Sequence, residues 1–124
     1  MEIGLDGIIV SNHGGRVLDG LAHPLDVLPA IVESVDGRGP VLLDSGVRHG
    51  VDALTALALG ARAVLVGRPQ VHALAVAGMA GVAHMLHMLR IELEMAMAQT
   101  GCITLPAIDR RLLAPENQLQ GPSI

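Results

Sequence analysis

The sequence predicts an α/β fold with a parallel sheet, and three observations carry that prediction. First, Gly7–Val10, Val41–Leu43 and Ala63–Val66 are short runs apolar on consecutive residues, as strands covered on both faces require. Second, helix-length stretches separate them, giving the order β-α-β-α-β-α with crossovers long enough for parallel pairing. Third, the candidate chemistry sits after the strands: their ends carry His13/Arg16, Asp44/Arg48 and Gly67/Arg68. In α/β folds chemistry sits at the carboxyl ends of strands, so this placement predicts one functional face.

The elements follow in order. Met1–Asp6 reads as a short lead-in. The first strand spans Gly7–Ser11 and opens into a turn of Asn12, His13, Gly14, Gly15 and Arg16; Leu18–His23 is a loop. Leu25, Leu28, Val32 and Val35 recur at helical spacing within Pro24–Val35. Because Pro29 is tolerated best near a first turn, this helix is expected to begin close to Asp26. Asp36-Gly37-Arg38-Gly39-Pro40 breaks it. After the second strand, Val41–Leu43, the segment Asp44–Gly50 leads into a helix over Val51–Leu59, with Leu54 and Ala58 inward and Gly60 as its stop. The third strand, Ala63–Val66, ends at Gly67-Arg68-Pro69, and Pro69 suits the first turn of a short helix through Val76. Gly78 and Gly81 bracket the start of a longer helix to about Gln99, whose stripe is Val82, Leu86, Leu89, Leu93 and Met97. Leu105–Leu113 reads as one more short helix. Residues 1–113 are expected to form one unit and 114–124 a loose polar tail.

Composition narrows the function. The chain has 124 residues, 51% hydrophobic, with a formal net charge of −4, which fits a single domain with a buried core and offers no basic surface for nucleic acid. All eight basic residues are arginine, and Phe, Tyr and Trp are absent, so base stacking is unsupported. The high mean hydropathy fits a heavily buried domain or a piece of a larger one. No apolar run is expected to approach the roughly 20 residues of a membrane span. The acidic N-terminus is unlike a signal peptide. The lone Cys102 cannot form an internal disulfide, so a reducing, cytoplasmic setting is expected, with peripheral membrane association compatible.

Each strand end has its own chemistry. His13 can take a proton near neutral pH, and Arg16 can hold a carboxylate. Gly14 and Gly15 allow a sharp bend and leave room for a flat ligand. Gly46 and Gly67 let backbone N–H groups approach an anion, while Arg48 and Arg68 add forked cationic donors and the following helix aims its N-terminus at the same place. This combination predicts a phosphate cradle; the plainer alternative pairs both arginines with surface acids. Asp44 can accept from a ligand or cap its own turn. His84 and His87 lie three apart but lack further ligands nearby, so no metal site is expected. The methionines Met79, Met85, Met88, Met95 and Met97 read as core filler, and Cys102 as a small buried residue.

The order Ser11-Asn12-His13-Gly14-Gly15-Arg16, then Asp44-Ser45-Gly46-Val47-Arg48, then Gly67-Arg68-Pro69 closely resembles the carboxyl-terminal part of the FMN-dependent 2-hydroxy-acid oxidases and dehydrogenases. Ala56-Leu57-Ala58-Leu59-Gly60-Ala61 and Thr100-Gly101-Cys102 look like that family too. The resemblance, from about Gly4 to Leu113, implies the last three βα units of a (β/α)8 TIM barrel with a long C-terminal helix. It implies oxidation of a small 2-hydroxy acid to a 2-oxo acid with FMN as electron acceptor. His13 would be the base, Arg16 the carboxylate holder, and Ser11, Asp44, Ser45, Gly46, Arg48, Gly67 and Arg68 the FMN contacts. Family members commonly form homo-oligomers. Val17 stands where the family has glutamine and His49 where it has arginine. The lysine and tyrosines that earlier strands supply have no counterpart in this chain. The isolated chain is therefore expected to be inactive. The alternatives are a non-catalytic relic or a phosphate-substrate barrel enzyme, such as type 2 isopentenyl-diphosphate isomerase or inosine monophosphate dehydrogenase. The Ser-Asn-His-Gly-Gly-Arg turn speaks against that enzyme reading.

Overall fold

A computed structural model of the chain describes residues 4–114. Three strands form one parallel sheet: β1 (Ile8–Val10), β2 (Val41–Leu43) and β3 (Ala63–Val64), in spatial order β1-β2-β3. Ile8 pairs with Val41, Val10 with Leu43, and Leu43 with Val64. The crossovers are α1 (Pro24–Val35) and α2 (Gly50–Ala58). Because the spatial order follows the chain order, the sheet winds in one direction and has no switch point, so all three carboxyl ends share one edge.

The core lies between the sheet and these two helices. Val10, Leu28, Val35, Val41, Leu43, Val47, Ala56 and Ala61 form it, with Leu28 and Ala56 fully buried. On the opposite sheet face Ile9 and Ala63 are exposed and Leu42 between them is half-buried. The expectation of strands covered on both faces is thus met on one face only among the described residues.

Helix α1 begins at Pro24, not near Asp26, and keeps Pro29 inside it. Pro24 presets the helical φ at the first position and is itself fully buried, anchoring the start deeper than Pro29 would allow alone. Asp36 closes the helix at φ 49°, its N–H donating to the Val32 carbonyl. Helix α2 starts and ends one residue earlier than expected, with Leu59 as its cap, and Leu54 and Ala58 are buried as expected. In place of a single helix over Leu105–Leu113 stand two 3-10 turns, Leu105–Ala107 and Arg110–Leu112. Arg111 holds the Asp109 carboxyl below its ordinary range, chiefly through the guanidinium hydrogen bonds. The expected tail beyond Ala114 lies outside the described residues.

Helix α3 (Arg68–Thr100) is continuous hydrogen-bonded helix except for a break at Ala77 (φ −145°) and Gly78 (φ 57°, ψ −139°). The break separates the two helices expected there. A Cβ on Gly81 would lie 2.1 Å from the Ala73 carbonyl oxygen, so the two parts press together at the break. By length and composition α3 is apolar enough to cross a membrane, which corrects the expectation that no run approaches that length. Residues 69–89 contain no formally charged side chain, but the interrupted ladder lies within them.

None of that apolar window is buried. Leu93, Ala96 and Met97 pack on Leu54, Ala58, Cys102 and Ile108 as a second small core. Leu86, Met79, Met88 and Met95 are exposed, so the full stripe and the core-filler reading of those methionines do not hold. The cause is length. Nine residues of α2 span about 14 Å, whereas the 33 of α3 would span about 50 Å if straight. Cys102 is buried, as expected.

Candidate functional site

The carboxyl ends of the three strands open into one cavity of about 550 Å3, lined by His13–Arg16, Asp44–Arg48, Leu65, Gly67–Pro69 and Val71. His13, Arg16, Asp44, Ser45, Gly46, Arg48, Gly67 and Arg68 all line it, so residues more than 50 positions apart are brought together. Ser11 does not line it; it acts one layer behind.

Asp44 organises the β1 turn through two hydroxyls. Ser11 Oγ donates to Asp44 Oδ2 at 2.5 Å and accepts the His13 N–H at 3.0 Å. Ser45 Oγ donates to the same oxygen at 3.1 Å and accepts the Gly14 N–H at 3.0 Å. The two alternatives for Asp44, ligand contact or local cap, thus omit its main contacts, which lie between two junctions. Those bonds support unusual backbone: His13, Gly14 and Gly15 are consecutively left-handed at φ 57°, 64° and 72°, and Ser45 and Gly46 at 87° and 86°. A left-handed L-residue costs roughly 1–2 kcal/mol. Such strain persists where surrounding bonds hold it, and it clusters at functional sites.

Arg68 joins the third junction to the first. Its Nη2 donates to the Gly14 carbonyl at 3.0 Å. A Cβ on Gly14 would come 3.2 Å from that nitrogen, so glycine is needed for both its φ and the close approach. Gly67 has open space where a Cβ would stand. Arg16, Arg48 and Arg68 line the cavity together with one carboxylate, that of Asp44, which already accepts from two hydroxyls. No ion pair binds any of the three among the described residues, so the plain surface-pairing alternative fails. The start of α3 adds its positive dipole end to the same region, with the Arg68 N–H as its donor, since Pro69 has none and the Gln70 and Val71 N–H groups donate to the Gly67 carbonyl. No group of three or more metal-ligating side chains occurs among the described residues.

Sequence reasoning missed the supports of the Arg48 segment. Asp52 Oδ2 accepts the N–H of Arg48 at 2.9 Å and of His49 at 2.8 Å. Glu92 Oε2 accepts the Gly50 N–H at 2.7 Å and lies 3.5 Å from His49 Nδ1. An acidic residue at the third position of a helix signals the Asp52 contact. No local signal points to Glu92, which is 42 residues away. The apolar wall of Leu65 and Val71 was also missed, although Leu65 is in the third predicted strand.

The chain matches the FMN-dependent dehydrogenase family over residues 1–115. It belongs to that family. It is 60% identical over 112 residues to an L-lactate oxidase of Alicycliphilus denitrificans, covering 90% of this chain and 31% of the relative. A peroxisomal (S)-2-hydroxyacid oxidase of Arabidopsis thaliana is 52% identical over 118 residues, which is 95% of this chain and 32% of the relative. The crystal structure of a mandelate oxidase with (S)-2-phenylpropionate superposes with a TM-score of 0.84 at 50% identity, over 88% of this chain and 33% of that one. The chain thus spans about a third of the length of the relatives it matches.

Proposed function

We propose that this chain supplies three successive units of a (β/α)8 barrel in an FMN-dependent enzyme that oxidises a 2-hydroxy acid to a 2-oxo acid. The observation that supports it most is the convergence of one imidazole and three guanidinium groups, from three different strand ends, on one cavity. Membership of the family and the names of its relatives, which share the 2-hydroxy-acid substrate class, point the same way.

The residues fit the anionic end of FMN. Gly67 leaves room for a phosphate to approach the backbone, Arg48 and Arg68 offer forked donors, and the N-terminus of α3 favours negative charge. Leu65 and Val71 offer an apolar wall beside it. FMN, when bound, supplies the two-electron acceptor. His13, on its strained turn, takes the substrate proton on an imidazole nitrogen. Arg16 binds the substrate carboxylate through both guanidinium arms. Ser11, Ser45 and Asp44 hold the turn so that the imidazole does not drift. The buried, unpaired thiol of Cys102 suits a reducing, cytoplasmic setting.

The test grafts residues 4–114 in place of the matching segment of the Alicycliphilus denitrificans L-lactate oxidase. The graft is expected to retain FMN and oxidise lactate. His13→Ala should then lower flavin reduction by about 10²- to 10⁴-fold with FMN retained; loss of FMN instead would remove His13 from the role of base. Arg16→Ala should raise KM by roughly 10- to 100-fold, and an unchanged KM would take Arg16 out of the substrate site. The 124-residue chain alone should show no turnover with lactate or glycolate, and measurable oxidation would refute that.

A further inference from the structure

We propose that Glu92, with Asp52, is a positioning residue for the phosphate cradle, setting where Arg48 is presented to the anion. This rests on the reading of Arg48 and Arg68 as the phosphate grip. Three consecutive N–H groups, those of Arg48, His49 and Gly50, are all held by carboxylate oxygens at 2.7–2.9 Å. Helix N-termini ordinarily leave such donors to water or to one capping side chain. Here a second carboxylate arrives from α3, the same helix whose first residue is Arg68.

Gly50 makes that arrival possible. It is buried, and a Cβ there would lie 2.1 Å from the Leu93 nitrogen and 2.6 Å from the Glu92 Cβ. The α3 backbone therefore rests directly on the start of α2, and Glu92 reaches the Gly50 N–H across that contact. The two ends of α3 thus govern the two arginines: its start carries Arg68, and its later turns fix the backbone that carries Arg48. Both carboxylates act on backbone N–H groups and neither pairs with the Arg48 guanidinium among the described residues. The cation stays available to an anion, while the chain bearing it has lost its freedom before binding, which is what preorganisation requires.

The test titrates FMN, inorganic phosphate and riboflavin into the full 124-residue chain, following flavin fluorescence and backbone amide shifts. Glu92→Ala should weaken FMN and inorganic phosphate about tenfold and change riboflavin, which has no phosphate, less than twofold. Glu92→Gln keeps an oxygen acceptor for the Gly50 N–H and should stay within about threefold of the parent for all three ligands. Equal weakening of FMN and riboflavin by Glu92→Ala would reduce Glu92 to a structural cap and overturn the proposal, as would an unchanged FMN affinity. If Glu92→Ala does not fold, Glu92→Gln and Asp52→Asn decide: a loss beyond tenfold in either, with its acceptor retained, overturns the proposal. Arg48→Ala is the separate control. If it leaves the FMN and phosphate affinities intact, the phosphate-grip reading fails whatever Glu92 does.

Discussion

The two ends of the sheet differ in a way that volume would misjudge. The larger cavity, about 710 Å3, lies at the amino ends of the strands, among Val32, Val35, Pro40, Val41, Leu57, Ala61, Leu105 and Ile108, with Arg62 its one charged lining residue. The smaller one at the carboxyl ends holds three guanidinium groups, an imidazole, a carboxylate and two left-handed non-glycine residues. Size alone would choose the first. Converging charge and supported strain choose the second, because both cost stability unless a ligand or a network uses them. The amino end is where chain segments meet and pack. At the carboxyl end, backbone and side chains are held in place for something else.

Substitutions that act at one end and not the other sharpen this contrast. Among effects on binding and stability, the largest is expected at Arg68, with Arg62 as its counterpart at the other end. In the lactate oxidase graft, Arg68→Ala should weaken FMN binding by roughly 10- to 100-fold, the worth of charge-assisted hydrogen bonds. Arg62→Ala, at the amino end, should leave it unchanged. Equal effects measured by flavin titration would erase the distinction between the ends.

Next comes Gly60, at φ 103° and with Val32 Cγ1 2.8 Å from where a Cβ would stand. Gly60→Ala should cost about 2 kcal/mol in urea unfolding, from left-handed strain and the clash together. FMN affinity should not move, since Gly60 lines only the amino-end cavity; a shift would mean the ends are coupled.

The smallest effect is expected at Val17. It is a β-branched residue at φ 70° and 97% exposed, so it carries strain with almost no burial in return. Val17→Asn should raise stability by about 1 kcal/mol, because asparagine tolerates that region better. A loss of stability would show that Val17 makes a contact worth more than its strain.

Much of the site was legible from local order. His13, Arg16, Arg48 and Arg68 each follow a strand run, and parallel strands of consecutive order put their carboxyl ends on one edge. The long helix was less legible. Its stripe from Val82 to Met97 has regular spacing, yet periodicity states only which side chains share a face, not whether a partner is long enough to cover them. The resemblance implies cofactor contacts for Ser11 and Ser45; that their hydroxyls accept the N–H groups of His13 and Gly14 is visible only in the structure. Glu92 had no local cue at all.

Neighbouring residues were enough to place the strands, the breaker segments and the turn chemistry, because each depends on spacing within about a dozen positions, and the order of three such turns along the chain was enough for the family. The contacts that hold the site did not follow from such spacing: Ser45 on Gly14, Arg68 on the Gly14 carbonyl, and Glu92 on Gly50. Those contacts join positions 31 to 54 apart. They exist only once the sheet has closed and α3 has docked, since a hydrogen bond reaches about 3 Å and the chain must first bring its partners there.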